Sequence, residues 1–597
     1  MSTTPTEVSK STTMGWGSDA VAAMLRALDL KYAAILPGAS YRGLHDSIVN
    51  YLGDENPEML LCLHEEHTVA IAHGYAKVAG KPMLAIVHSN VGLMHATMAI
   101  FNAWCDRVPV LILGANGPVD AQKRRPWIDW IHTSQDMGAL VRPYTKWDDQ
   151  PGSPGAALES LLRAYQIANT LPYGPTIVFL DTELQEQKLS APLALPPVGK
   201  YVPPQEPAPT PADTKRVLAA LQAAQHPLFI AGRCSRTTDA WDARVALAEA
   251  LNARVVSNFM CGAMFPTDHF LHVGQSRSKA AIAAFREADL VVDLDSVDLA
   301  GTLKAVAGGQ PLTAKVISAS MDRYVHNGWS MDYQALPALD INLAVPPDAL
   351  VTALLAELGN PQAKPPSRNG ATQPKPAPNG SAMGGAIGID AFSRAVSDAF
   401  AGMDVCFTRL PLGVNEADFV FHHPLDYIGG DGGGGIGSGL GMSVGAALAL
   451  RGTSRLPVCL TGDGDFLMGD TAIWTAVHSK IPLLVIVANN RSYFNDEVHQ
   501  ERMAVVRNRP VERKWIGQRI DDPPPDLAAF ARAQGAVGIG PITDRNDIAQ
   551  AIATGIGLVK KGGVCVIDVI VLPEYTAGAA AGVAQAEGAG RSNDERG

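Results

Sequence analysis

Apolar positions along this chain rarely alternate with polar ones; they gather in short unbroken runs. Before residue 190 these are AAIL, MLLCL, MLAIV, PVLILG and TIVFLD. PLFIAGR, ARVVSN, ADLVVDLD and AKVISAS follow, and then ADFVF, LPVCLTGDGD, PLLVIVANN and VCVIDVIVL. A run that is apolar at every position suits a strand buried on both faces of a parallel sheet. Between the runs lie stretches of helical period, such as SDAVAAMLRALD and EEHTVAIAHGYAKVAG. Strands alternating with helices predict α/β units wound on both sheet faces. The expected fold class is therefore α/β, with three tandem doubly wound parallel-sheet domains over 14–189, 215–358 and 387–574.

Two segments break the pattern. Residues 190–214 are rich in proline, and 359–386 carry proline, glycine and asparagine, so both read as exposed linkers. Residues 575–597 form an Ala/Gly-rich tail, flexible or lid-like. The length of 597 residues exceeds what one compact core holds. A composition of 47% hydrophobic and 18% charged residues is globular. The net charge of −11 argues against a nucleic-acid partner and against a membrane surface. Seven cysteines without a CxxC pair indicate neither a disulfide frame nor a zinc ribbon. No apolar run approaches the roughly 20 residues of a spanning helix. The start MSTTPTEVSKSTT lacks the features of a secretion signal. The expectation is a cytoplasmic protein with neither nucleic acid nor membrane as partner.

The most informative stretch is Gly462-Asp463-Gly464-Asp465-Phe466, which ends one strand and opens a helix; Asn489-Asn490 end the next strand. Asp463 and Asn490 stand 27 positions apart, room for one helix and one returning strand. Both then reach the carboxyl-end edge of neighbouring strands, where open α/β sheets bind ligands. A carboxylate oxygen and an amide oxygen are hard donors suited to an octahedral Mg²⁺ that also grips phosphate. The glycines let backbone N–H groups approach a diphosphate.

This pairing of GDG with NN resembles the diphosphate-binding signature of thiamine diphosphate (ThDP) enzymes, in the branch of acetolactate synthase, benzoylformate decarboxylase and 2-hydroxyacyl-CoA lyase. The resemblance implies Asp463, Asn490 and the backbone carbonyl of Ser492 as metal ligands, with Gly462, Gly464 and Asp465 beside the cofactor. The glycine-rich run Gly429 to Gly441 also contains a GxGxxG pattern, a dinucleotide fingerprint that is weak alone. Its segment IGSGLGMSVGA is similar to the family's stretch beneath the thiazolium. That match implies Ile436 as the wedge bending the cofactor and a glycine carbonyl near Gly434 facing its amino group. Gly441 stands where the family commonly has proline.

CLHEEHTVAIAHGYAKVAGKP resembles the family's HE…GYAR…GKP segment and implies Glu65 as the acid that hydrogen-bonds the cofactor's pyrimidine. A buried carboxyl in that role needs a raised pKa. Glu66 is out of register and is assigned to solvent. The turn Pro37-Gly38-Ala39-Ser40 matches the family's PG turn; a serine of benzoylformate decarboxylase falls at Ala39, leaving Ser40 as the substitute contact. VHSNVG…FNAWCDRVPVLIL resembles that enzyme's LHS…NAW region and implies His88 as a proton-transfer group, a job suited to imidazole. The alternative for His88 is a satisfied structural histidine. GANGP replaces the family's glutamine of a GQ pair. After the metal motif, Glu497 is either a base for a substrate hydroxyl or a solvent-facing carboxylate. Trp104, Trp127, Trp130 and Trp474 read as core or interface.

The resemblance implies a ThDP- and Mg²⁺-dependent enzyme that breaks or makes a C–C bond beside a carbonyl, a 2-oxo acid decarboxylase or carboligase. One alternative is a 2-hydroxyacyl-CoA lyase acting on an acyl-CoA to release an aldehyde or ketone plus formyl-CoA, with Arg233, Arg236 and Arg277 available for nucleotide phosphates. The other is a non-catalytic scaffold. FAD or an adenine nucleotide in the central domain stays open. The family's architecture implies a homodimer or homotetramer with Glu65 and the metal motif supplied by different chains.

Overall fold

The structure, a computed structural model, describes residues 13–258, 260–276, 278–307, 312–322, 336–359, 361, 386–414 and 416–575. Nearly all of the 359–386 linker, the tail beyond Tyr575 and Arg277 lie outside the described residues. Contacts divide the chain into two units, one of residues up to 204 with 431–449 and 474–479, the other of 205–430, 450–473 and 480 onward.

In the first unit, six parallel strands lie in the order β2-β1-β3-β4-β6-β5. These are β1 (Tyr32–Ile35), β2 (Glu58–Leu61), β3 (Leu84–Val87), β4 (Val110–Asn116), β5 (Trp147–Asp149) and β6 (Pro175–Asp181). β3, β4 and β6 are buried at every position, as unbroken apolar runs require when helices cover both faces. β1 pairs β2 on one side and β3 on the other, with Ile35 level with Leu61 and Ile86. The loops that follow these three strands consequently open on one edge of the sheet.

The Glu65–Ala79 helix packs against the Gly439–Ala449 helix of the same unit. A methyl group on Gly74 would stand 1.8 Å from the Met442 carbonyl oxygen, and one on Gly445 1.8 Å from that of Ile71. The two backbones therefore touch where side chains would keep them apart. A methyl on Gly441 would meet Ala70 Cβ at 2.8 Å, which accounts for a residue of minimal size at that position.

The second unit holds two sheets. One runs β12-β11-β10-β7-β8-β9, from β7 (Pro227–Ala231), β8 (Arg254–Ser257), β9 (His272–Gln275), β10 (Leu290–Leu294), β11 (Lys315–Ala319) and β12 (Ile341–Leu343). The other runs β13-β14-β15-β17-β16, from β13 (Val405–Arg409), β14 (Leu456–Gly462), β15 (Leu483–Asn489), β16 (Val537–Ile542) and β17 (Val564–Ile570). Every named pairing in the three sheets is parallel, as the α/β reading expects. One continuous apolar cluster runs from Val217 to Val571 and joins these two sheets' cores.

Three expectations change. ADFVF is no strand: Glu416–Asp418 is a 3₁₀ turn and Phe419 and Phe421 are buried without ladder pairing. Ser393 Oγ donates to the Asp418 carboxylate at 2.7 Å and Ser397 Oγ to its carbonyl at 2.5 Å, which pins this segment as a loop. The strand is instead VCFTR, β13. The 190–214 linker ends early, because a helix starts at Pro211 with Thr210 Oγ1 accepting from Asp213 N–H at 3.1 Å. A threonine cap before a proline is a strong helix start. Trp127 and Trp130 are 69% and 72% exposed, which narrows their reading from core or interface to interface, whereas Trp104 is buried with the Arg107 guanidinium 4.7 Å above its ring. Among the described residues no helix is long and apolar enough to cross a membrane.

Candidate active site

In the first unit, the loops after β1 and β3 bring Ser40 and His88 together, with Ser40 Oγ 2.7 Å from His88 Nδ1. Ser40 is buried, and its carbonyl accepts from Gln185 Nε2 at 2.8 Å. A methyl on Gly38 would lie 2.3 Å from the imidazole, so only glycine lets the ring rest on this turn. The His132 ring meets His88 edge-on at 5.0 Å. Burial first, and then His132, hold the His88 pKa below the usual imidazole value; Glu65 pulls it up and Arg125, the smallest contribution, down. The shift favours the neutral imidazole, the form that accepts a proton.

Glu65 is the first residue of its helix and is 4% exposed. His64 caps that helix by accepting the Glu66 N–H on Nδ1 at 3.2 Å. The Glu65 carboxylate accepts from His95 Nδ1 at 3.0 Å, and a methyl on Gly92 would stand 2.8 Å from its other oxygen. The His95 ring, 57% exposed in its side chain, stacks on His64 at 5.0 Å and 23°. Nothing in the sequence singled out His95, which lies 30 positions from Glu65 and on another helix.

Glu66 does not face solvent as expected. Its Oε1 accepts from Ser438 Oγ, which in turn accepts from Asn102 Nδ2 at 3.1 Å, while Asn102 Oδ1 takes the Gly433 N–H at 3.1 Å. These bonds pin the glycine-rich run beside the Glu65 helix. On that run Gly434 has φ +69° with open space where a side chain would go, and Ile436 is 37% exposed. A left-handed glycine and an uncovered isoleucine thus lie on a run that is tied to the helix of the buried acid.

In the second unit, β14 and β15 pair with Gly462 level with Ala488, so Asp463 and Asn490 emerge at the same edge. The Ser492 backbone N–H donates to both, at 3.1 Å to Asp463 Oδ2 and 2.9 Å to Asn490 Oδ1. One amide thereby gathers the three residues that the resemblance names as ligands. Burial pushes the Asp463 carboxyl up to about 6, and four backbone amides, its own and those of Gly464, Ser492 and Arg491, pull the other way. A cation there would favour the ionised form. Gly462 has open space at its side-chain position, and a methyl on Gly464 would strike the Tyr493 ring at 2.5 Å.

Asp465 is committed elsewhere, ion-paired to Arg409 at 2.6 Å and accepting from Thr461 Oγ1 at 2.6 Å. Glu497 is not on the surface: it is fully buried and accepts from Ser492 Oγ at 2.5 Å and Arg519 Nε at 3.0 Å. Among the described residues no group of three His, Cys, Asp or Glu is arranged to hold a metal. The Asp463, Asn490 and Ser492 set, which takes one oxygen from an amide and one from the backbone, suits a hard cation. Buried Glu65, open Gly434 and exposed Ile436 likewise suit the pyrimidine side of ThDP.

In the domain named as central, Arg233 pairs with Asp322 at 2.5 Å and Asp295 at 3.3 Å, and Arg236 donates to the carbonyls of Cys261 and Ile428 at 2.7 and 3.0 Å.

Family profiles described as the N-terminal TPP binding, central and C-terminal TPP binding domains of thiamine pyrophosphate enzymes match residues 15–139, 214–296 and 413–569. A probable 2-ketoarginine decarboxylase of Pseudomonas aeruginosa is 26% identical over 88% of each chain. The acetolactate synthase large subunit of Haemophilus influenzae is 25% identical over 88% of this chain and 89% of its own. Benzoylformate decarboxylase of Pseudomonas aeruginosa is 26% identical over 74% of this chain and 80% of its own. Among solved structures, a 4-hydroxybenzoylformate decarboxylase of Rhodococcus jostii superposes with TM-score 0.72 at 19% identity, covering 94% of this chain and 99% of that one. Benzoylformate decarboxylase of Polynucleobacter necessarius gives TM-score 0.72 at 21% identity, over 94% and 100%. At these identities the solved structures speak for the fold alone.

Proposed function

The chain belongs to the thiamine diphosphate-dependent enzymes, and on that premise we propose that it is a Mg²⁺-dependent decarboxylase or carboligase acting on a small 2-oxo acid. The observation that carries this reading is the single Ser492 amide that draws Asp463 and Asn490 together at the ends of adjacent strands. Asp463, Asn490 and the Ser492 carbonyl would hold the cation, and through it the diphosphate. Gly462 leaves room for its oxygens, and Ile436 and Gly434 would support the rings. When bound, ThDP supplies the nucleophilic carbon and the electron sink for cleavage beside a carbonyl.

The protein's own work is placement and proton traffic. Glu65 would hold a proton at the pyrimidine nitrogen, with His95 fixing its second oxygen. His88, neutral and bonded to Ser40, would pass a proton to or from the substrate's carbonyl oxygen. The relatives named decarboxylase and acetolactate synthase support the 2-oxo acid class. An acyl-CoA substrate finds no support in Arg233 and Arg236, whose guanidinium groups are bonded within the chain. A homodimer or homotetramer in the cytoplasm completes the proposal.

The test is a product assay of purified protein with ThDP and Mg²⁺ against a panel of 2-oxo acids and 2-hydroxyacyl-CoAs. CO₂ release from at least one 2-oxo acid, lost in Glu65→Gln, is expected. Turnover of the acyl-CoAs alone, or undiminished turnover in Glu65→Gln, would contradict it.

A further inference from the structure

Beside the metal-motif turn lies a carboxylate that no step above uses. Glu497 stands in the first turn of the Phe494–Val506 helix and is 0% exposed. Its Oε1 takes both hydrogen bonds, from Ser492 Oγ at 2.5 Å and Arg519 Nε at 3.0 Å. Its Oε2 is buried and has no hydrogen-bond partner among the described residues. Burying a carboxylate is costly unless both oxygens are paired. A residue present only for packing would be better served by an apolar side chain, so the charge serves some other purpose.

The surroundings of Ser492 indicate that purpose. Residues 491–493 and 518–520 zip together: Tyr493 N–H donates to the Gln518 carbonyl at 3.0 Å and Ile520 N–H to the Arg491 carbonyl at 2.8 Å. Ser492 and Arg519 face each other across that antiparallel bridge. Arg491 holds φ +55°, left-handed for a non-glycine residue, and such a conformation persists only where its neighbours fix it. Ser492 is therefore gripped three ways. Its N–H joins Asp463 and Asn490, its Oγ reaches Glu497, and its strand neighbours lock onto the chain that carries Arg519.

We propose that Glu497 and Arg519 form a latch holding the Ser492 turn in the shape that lets Asp463, Asn490 and the Ser492 carbonyl act as one divalent-cation clamp. Glu497 acts through Ser492 and is a positioning residue, not the substrate base that its place after the metal motif first suggested. The latch rests on the ThDP and Mg²⁺ reading above. It also ties the clamp to the stretch leading into Arg519. Trp515, 48% exposed and four residues before that arginine, becomes a reporter of loading.

The experiment titrates Mg²⁺ into full-length protein at saturating ThDP and follows tryptophan fluorescence, with turnover measured at saturating Mg²⁺. Partners of metal ligands commonly change metal affinity by about 10- to 100-fold. Glu497→Gln and Arg519→Gln are each expected to raise the half-saturating Mg²⁺ by about that factor. At saturating Mg²⁺, turnover should return to within a few-fold of the parent. Arg519→Gln changes a side chain that is 36% exposed, so it tests the latch even if Glu497→Gln fails to fold. Unchanged Mg²⁺ affinity in a folded variant overturns the latch. So does lost turnover at saturating Mg²⁺ with affinity intact, which would make Glu497 a substrate base. If the parent protein takes up neither ThDP nor Mg²⁺, the functional reading falls and the latch with it; normal loading of the parent keeps the two failures apart.

Discussion

At the scale of single residues, His88 is the group whose role depends most on its proton. Burial and, to a smaller extent, His132 and Arg125 favour the neutral imidazole, so its folded pKa lies below the ordinary value. A base of this kind loses its lone pair only at more acidic pH. We expect kcat/KM for a 2-oxo acid to stay level near neutrality and to fall with acid, its inflection below the ordinary imidazole value. Gly38→Ala would push a methyl against the ring. Misplacing a reacting group by about 1 Å costs about 100-fold, so that variant should lose activity on this order with the fold intact. A pH profile and circular dichroism of Gly38→Ala check both; an unchanged rate would remove His88 from the chemistry. The spacing of GDG and NN made candidates of Asp463 and Asn490, and the family resemblance made candidates of Glu65 and His88. His95 and Arg519 were not legible. Each is 22 or more positions from its carboxylate, and only folding brings the two together.

At the scale of elements, the decisive contact is the near-touching of two helices through Gly74 and Gly445. Gly445→Val would set a side chain against the Ile71 carbonyl and force the helices apart. Overpacking of this kind costs about 1–3 kcal/mol. A melting temperature lowered by several degrees is expected, with the Glu66–Ser438 link loosened. A variant that melts with the parent would show that the close approach is not needed. The long apolar strands were readable from the sequence, since burial on both faces leaves no polar positions. The short or edge strands β5, β9, β12 and β16 were not. They span few residues or are half-exposed, with glycine and proline inside β16, and their pairing is set by the neighbouring strand. ADFVF misled for a related reason, because aromatic burial alone does not make a strand when two serines hold the backbone away from the ladder.

At the scale of the whole molecule, three parallel sheets were expected and three are found. The sequence did not disclose the continuous apolar cluster that joins the second and third sheets, because nothing in a run of valines says which sheet it packs against. Nor did it disclose that the glycine-rich run groups with the N-terminal unit. The groups suited to a pyrimidine, Glu65, Gly434 and Ile436, thus gather in one unit, and the groups suited to a cation and diphosphate, Asp463, Asn490 and Ser492, in the other. The proposed activity needs a protein that takes up the coenzyme. Equilibrium titration of the purified chain with ThDP at fixed Mg²⁺ tests that requirement most directly. The account predicts saturable uptake of one ThDP per chain, abolished in Asp463→Ala and retained without turnover in Glu65→Gln. Absence of uptake, or equal uptake by Asp463→Ala, would contradict it.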